Sequence, residues 1–346
     1  DSLDSKKADE VAAPVPLTPK EILAATGLEE PPTCMDFSDP EALQRRTVQW
    51  REAVAKLAET HPDLVISWII GESPPPELAI KEAELQKDCM LSALILEARE
   101  NRSVRLVLNY EESFSGAVDN ARQLARRFET HPRSRRRVLQ HLTRSAYRDA
   151  ASQAHIWYRK HTFNGHSFNI VSEAAGERCG IASGQTWKPE ASRHVRCWRQ
   201  ELNTRERERE ILAASAAPGI SRHHWGTEFD ILSLNPHSFT EHGPLRHDYA
   251  WLDANALDHG FFQPFKGPQN AEDHAHMEER WHWSYYPIAQ ALLEFVALND
   301  GPVDAALNAQ WDALEARWNR RRREPREYFP YIREHWRTYL FGIVVP

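Results

Sequence analysis

Cysteine is scarce in this chain. Only Cys34, Cys89, Cys179 and Cys197 occur, and no two are spaced as C-x-x-C. That argues against a thiolate zinc site. An even count allows disulfides in an oxidising compartment and equally allows four buried thiols. No apolar run approaches the length of a membrane-spanning helix. Positive charge is not in excess: the net charge is -7, so bulk charge gives no attraction to nucleic acid. There is no internal repeat. The first stretch, Asp1 to Pro19, is polar and small and has no apolar targeting core. It reads as a disordered leader left after removal of a signal segment, although a trimmed chain would look the same.

What is present suffices for a core. The 346 residues are 41% hydrophobic and 27% charged, room for one large domain or two ordinary ones. Twelve tryptophans suit either large core side chains or an aromatic-lined groove. Ser38-Asp39-Pro40 predicts a helix start. Leu43, Thr47, Trp50, Val54 and Leu57 follow at helical spacing, ending at His61-Pro62. Asp63 to Gly71 reads as strand or buried helix, and Pro74-Pro75-Pro76 as a break. Val104 to Leu108 alternates like a strand, while Ala117 to Thr130 and Arg133 to His161 read as helices. The run Arg133, Arg135, Arg136 and Arg137 is a solvated helix face on the simplest reading. Short strand-like pieces are expected at Ser167 to Val171 and Cys179 to Trp187, and a polar helix from about Glu190 to Ala214. Helices are expected again after Trp283, with Ile288, Leu292, Leu293 and Val296 as one apolar stripe, and over about Pro302 to Arg323.

Two segments carry chemistry. One is Ser221-Arg222-His223-His224-Trp225-Gly226-Thr227-Glu228-Phe229-Asp230, the other Glu279-Arg280-Trp281-His282-Trp283. They offer two imidazoles and a carboxylate, His223, His282 and Asp230, as three zinc ligands with an open fourth position. Glu279 remains to move the proton of an activated water. Each half alone is weak, since 17 histidines make chance spacings easy and a histidine beside tryptophan is more often a satisfied core residue. Gly226, placed where the backbone must turn between ligands, and Trp281 and Trp283, placed to exclude water, strengthen the pair. His224, His237, His242, His247, His274 and His276 crowd the same region and read as surface or supporting histidines.

The pattern Ser-x-His-x-x-Gly-x-x-x-Asp followed by Glu-x-Trp-His-Trp resembles the VanY-type D-alanyl-D-alanine carboxypeptidases. These belong to the metallopeptidase group that also holds lysostaphin-type enzymes, murein endopeptidase and the hedgehog signalling domain. Trp251-Leu252, Asn255-Ala256 and His259-Gly260-Phe261 match as well, so the resemblance covers about 179–286. It implies Zn2+ on His223, Asp230 and His282, Glu279 as catalytic base, and Ser221 as a supporting or substrate-contacting residue, with Trp281 beside it. It implies an α+β fold: a small antiparallel sheet bearing the zinc site, with helical extensions on both sides. The expected division is a leader over 1–30, a helical region of unknown role over 31–154, a peptidase core over 155–287 and a helical extension over 288–346.

Three departures stand out. Glu228 replaces a small residue and, on a strand, shares a face with Asp230, either tuning the metal or pairing with an arginine. Arg280 replaces a proline. The family's arginine, in a Ser-Gly-Tyr-Arg-Ser turn ahead of a helical glutamine, has no counterpart in Ser183-Gly184-Gln185-Thr186-Trp187, which leaves Arg193 or Arg196, near Gln200, as the expected oxyanion-stabilising residue. The implied activity is hydrolysis of peptidoglycan stem peptides outside the cytoplasm. Cross-link endopeptidase and catalytically weak cell-wall-binding protein are the alternatives.

Overall fold

The computed structural model describes residues 24, 26–100, 139–140, 142–165, 169–266 and 276–346, with the side chains of 98–100 excepted. The leader to Pro19, the strand at Val104 to Leu108, the helix at Ala117 to Thr130, the arginine run at 133–137 and His274 lie outside these residues.

Helix α1 (Pro40–Thr60) begins as its sequence predicts. Asp39 accepts from the Glu41 amide at 3.0 Å and Pro40 supplies a preset φ at the first turn. Leu43, Thr47, Trp50, Val54 and Leu57 all face inward. The ambiguous apolar stretch after it is helix α2 (Pro62–Ile69), and helix α3 (Glu77–Glu100) follows the proline break. The expected helix over Arg133 to His161 is corrected by the structure. It is interrupted by strand β1 (Thr143–Ser145), and helix α4 (Ala150–His161) starts afresh. The cause is twofold: β1 pairs with a later strand, and Asp149 caps α4 through the Ser152 amide at 2.7 Å.

Of the two strand-like pieces, Ser167 and Phe168 lie outside the described residues, and the rest is reduced to one bridge. Helix α5 (Glu173–Cys179) lies between them, and Ile170 and Thr186 form a single bridge. The polar helix from Glu190 to Ala214 is broken too. Helix α6 (Ser192–Arg196) continues as one wide turn over Cys197–Glu201, and helix α7 (Thr204–Leu212) then begins from a complete capping box, Asn203 with Glu206.

Strand β2 (Glu228–Ile231), helix α8 (Arg246–Asn255), strand β3 (Phe261–Phe262) and strand β4 (His282–Tyr285) complete the centre. The sheet is four-stranded and antiparallel, in the order β1-β2-β4-β3. Helices α9 (Tyr286–Leu298), α10 (Asp300–Asn319) and α11 (Ile332–Phe341) close the described chain. The α+β architecture, helices around a small antiparallel sheet, is as expected.

The buried side chains from Leu28 to Leu340 form one continuous core. Helix α1 lies along α9, joining the predicted apolar stripes. The buried carboxylate of Glu82 on α3 ties the layers, accepting from the Trp50 indole on α1 at 3.0 Å and the Tyr285 hydroxyl on β4 at 2.8 Å. The N-terminal helices thereby support the strand that carries His282. Two disulfides, Cys34–Cys89 and Cys179–Cys197, use all four cysteines. Among the described residues no helix is long and apolar enough to cross a membrane.

Candidate metal centre

The first motif forms a single 3-10 turn over Arg222–Trp225 that runs through Gly226 into β2. Gly226 adopts φ +74, and a Cβ there would lie 2.9 Å from the Pro75 ring, so both backbone and packing require glycine. β2 and β4 then pair with Asp230 opposite His282 and Glu228 opposite Ser284. This register brings the two motifs together.

His223, Asp230 and His282 converge, one ligand atom from each lying within 4.8 Å of the others. His223 Nε2 stands 3.4 Å from Asp230 Oδ2, and His282 Nδ1 stands 3.1 Å from Asp230 Oδ1. The far nitrogens have acceptors of their own. His223 Nδ1 faces the Ala146 carbonyl at 2.8 Å, an acceptor only, so it must donate. His282 Nε2 faces the Glu228 carboxylate at 2.8 Å. With those positions donating and both rings neutral, the inward nitrogens present lone pairs to a carboxylate. Three electron-rich atoms therefore point at one another in a buried place, which a cation satisfies. The donor set, two imidazoles and a carboxylate, suits zinc.

The carboxylates around His282 also favour its protonated ring, which a bound cation would displace. Burial opposes charge on His282, but Asp230 and Glu228 outweigh it and raise its pKa to about 10. Burial likewise opposes ionisation of Asp230, yet His223 and His282 hold it far below the ordinary carboxylate range. Burial lowers His223. Glu279 sits 3.5 Å from His282 Nδ1 through Oε2. Burial, helped by the Asp230 charge, pushes the Glu279 carboxyl up to about 7, where a proton-transfer group works best near neutrality.

These residues line a cavity of about 450 Å3 that also contains Ser221 and Trp281. Both are buried, and Ser221 opens the 3-10 turn. Arg193 and Arg196 are not brought to it. Arg193 pairs with Glu201 at 2.7 Å, Arg196 approaches the same carboxylate at 3.9 Å, and both side chains are substantially exposed. Arg280 points away too, donating to the Phe239 carbonyl at 2.8 Å.

Two arginines line the cavity, Arg222, which pairs with Glu228, and Arg148, which the sequence reading missed. Arg148 donates to Gln153 Oε1 at 2.7 Å and Ser145 Oγ at 2.8 Å, and its charge is felt by Asp230 and Glu279. The signal was legible: Ser145-Ala146-Tyr147-Arg148-Asp149, with Gln153 in the helix that follows, resembles the sought arginine turn, with alanine for glycine and aspartate for the second serine. Reading 133–161 as one helix concealed it. Lys160, on α4, also lines the cavity and was missed. Its ammonium donates to Ser215 Oγ at 2.6 Å and to Asn169 Oδ1, and burial lowers its pKa to about 8.

His224 and His276 are not site groups of the same kind. His224 Nδ1 donates to the Arg148 carbonyl at 2.6 Å and its Nε2 accepts from the Gly219 amide at 3.1 Å. His276 Nδ1 donates to the Leu212 carbonyl at 2.9 Å. Burial lowers both to about 4. His237 and His242 are exposed and His247 is half-buried.

The His223, Asp230 and His282 group, with the buried Glu279 beside it, could hold a metal ion. Residues 120–288 match the family model described as VanY, D-alanyl-D-alanine carboxypeptidase, which supports the resemblance read from the two motifs. The match takes in Arg148 and begins ahead of residue 155. No curated protein and no solved structure matches the chain significantly.

Proposed function

We propose that the chain is a zinc-dependent carboxypeptidase that removes a terminal D-alanine from peptidoglycan peptides outside the cytoplasm. The observation that carries this reading is the convergence of His223 Nε2, Asp230 and His282 Nδ1 beside the buried Glu279 carboxyl. Those three side chains would hold the ion. When bound, zinc there polarises a carbonyl and acidifies water.

The chain's own groups account for the remaining steps. Glu279 takes a proton from the attacking water and passes it to the leaving amine. The Arg148 guanidinium, held by Ser145 and Gln153, offers fixed donors to the oxygen on which charge develops. Trp281 shields the reaction from bulk water. Arg148 and Lys160 place cationic side chains in the cavity lining that suit a peptide ending in a carboxylate. Two disulfides favour an oxidising compartment, and a net charge of -7 does not suit a nucleic-acid partner.

The test is mass analysis of purified peptidoglycan fragments incubated with the zinc-loaded protein and, in parallel, with Glu279→Ala. Loss of one terminal alanine with the native protein alone supports the proposal. Conversion of cross-linked dimers to monomers would make it an endopeptidase. No change despite bound zinc would overturn the enzymatic reading in favour of a binding role.

A further inference from the structure

The His282 ring lies between two carboxylates of one strand. Asp230 and Glu228 are two apart on β2, so their side chains leave the same face, and β4 runs directly opposite. Nδ1 meets Asp230 at 3.1 Å and Nε2 meets Glu228 at 2.8 Å. Glu228 is fully buried. Its other oxygen accepts from Ser284 Oγ at 2.6 Å and Thr227 Oγ1 at 3.2 Å, and stands 3.1 Å from Arg222 Nη2. Arg222 also donates to Ser284 Oγ at 2.8 Å, so Ser284 links the two charges.

Arg222 has no other ion pair among the described residues. Its guanidinium carbon stands 4.6 Å from the centre of the Trp225 ring and 5.8 Å from that of Phe262, and its Nε and Nη1 atoms are buried without partners. A guanidinium enclosed this way is costly unless it serves a neighbouring charge, and Glu228 is that neighbour.

We propose that Glu228, balanced by Arg222, is the positioning residue that fixes the orientation and tautomer of His282, so that Nδ1 alone is offered to the metal. This inference rests on the reading of His223, Asp230 and His282 as metal ligands. The physical reason is simple. A ring flip would leave the hydrogen bond to Glu228 unmade, and the other tautomer would place a lone pair against its carboxylate while capping Nδ1 with hydrogen. Carboxylates that accept from the outer nitrogen of a ligating imidazole hold its orientation and raise its donor strength, and losing them weakens metal binding by about 10–100-fold.

The experiment measures Zn2+ affinity by competition with a chromophoric chelator, the visible spectrum of the Co2+-loaded protein, and the 15N shifts of the His282 imidazole. The proteins compared are native, Glu228→Ala, Glu228→Gln and the double variant Arg222→Met/Glu228→Leu. The double variant removes both buried charges together, which keeps the comparison available if a stranded Arg222 unfolds Glu228→Ala. The expected result is about 10–100-fold weaker Zn2+ binding with an altered Co2+ spectrum in the variants lacking an acceptor at 228. Glu228→Gln, which keeps an acceptor oxygen, is expected to retain the native His282 tautomer and to fall between. Affinity within twofold of native and an unchanged Co2+ spectrum in the double variant would overturn this inference alone. Failure of the native protein to bind either ion would overturn the metal-site reading and this inference with it.

Discussion

Trp68 and Trp225 hold each other's segments through paired indole bonds. Trp68 donates to the Trp225 carbonyl at 3.1 Å, and Trp225 donates to the Ile69 carbonyl at 3.2 Å. The end of α2 is thereby locked to the turn that carries His223. Gly71 completes the lock, since a Cβ there would come within 2.5 Å of the His224 ring. The helical N-terminal region therefore braces the first motif.

Trp68→Phe keeps most of the buried ring but leaves the Trp225 carbonyl without its donor. The expected loss of stability is about 1–3 kcal/mol, read from urea denaturation midpoints at constant slope. A change under about 0.5 kcal/mol would mean that the bond contributes little beyond packing.

Arg148 and Arg193 separate cleanly as oxyanion-stabilising candidates. Arg148→Lys cannot reproduce both bonds to Ser145 and Gln153, and a drop in kcat of about 10²–10³-fold is expected. Arg193→Ala, which loses only an exposed pair with Glu201, should leave kcat and KM within about twofold, since such pairs contribute little. Steady-state kinetics on a stem-peptide substrate checks both.

The two disulfides should differ in their effect. Cys34–Cys89 closes a sequence separation of 55 and Cys179–Cys197 one of 18. On the chain-entropy account, replacing the first pair by alanines costs about 4 kcal/mol and the second about 3 kcal/mol. Denaturation of the two double-alanine variants, with native protein as reference, tests that order.

Asp248 provides a pH prediction away from the metal centre. It is fully buried and neither carboxylate oxygen has a partner among the described residues, and burial raises its pKa to about 8. Between its ordinary value of 3.8 and about 8, the folded chain holds a proton that the unfolded chain has released. Stability therefore falls as pH rises through that window, by at most about 1.4 kcal/mol per pH unit. Asp248→Asn should gain on the native protein steadily from acid to mildly alkaline pH. A constant difference between the two at pH 5, 6.5 and 8 would contradict the raised value.

Local signals were legible in the residues themselves. The cap at Asp39, the stripe on α1, the apolar face of α9 and the need for glycine at 226 are written in nearest-neighbour chemistry, and the structure has each of them. The ligand candidates were legible as well, because few residue types serve a metal and their spacing was informative. What failed were long stretches judged by composition alone. Arg133 to His161 looks helical throughout, yet β1 interrupts it because Thr143 and Ser145 find partners on β2. The break between α6 and α7 follows from a capping box that was present in Asn203 and Glu206 but went unread.

By itself the sequence determined which chemistry is available: two histidines, an aspartate and a glutamate in recognisable motifs, four cysteines and no apolar span. Only the tertiary structure decided which arginines share the cavity, how the cysteines pair, and that Glu228 faces His282. Those depend on strand register and on side chains far apart in the chain meeting in a buried space. An antiparallel pairing displaced by one residue would turn Asp230 and Glu228 away from His282 together. Spacing along one strand cannot reveal which residue of another lies opposite it.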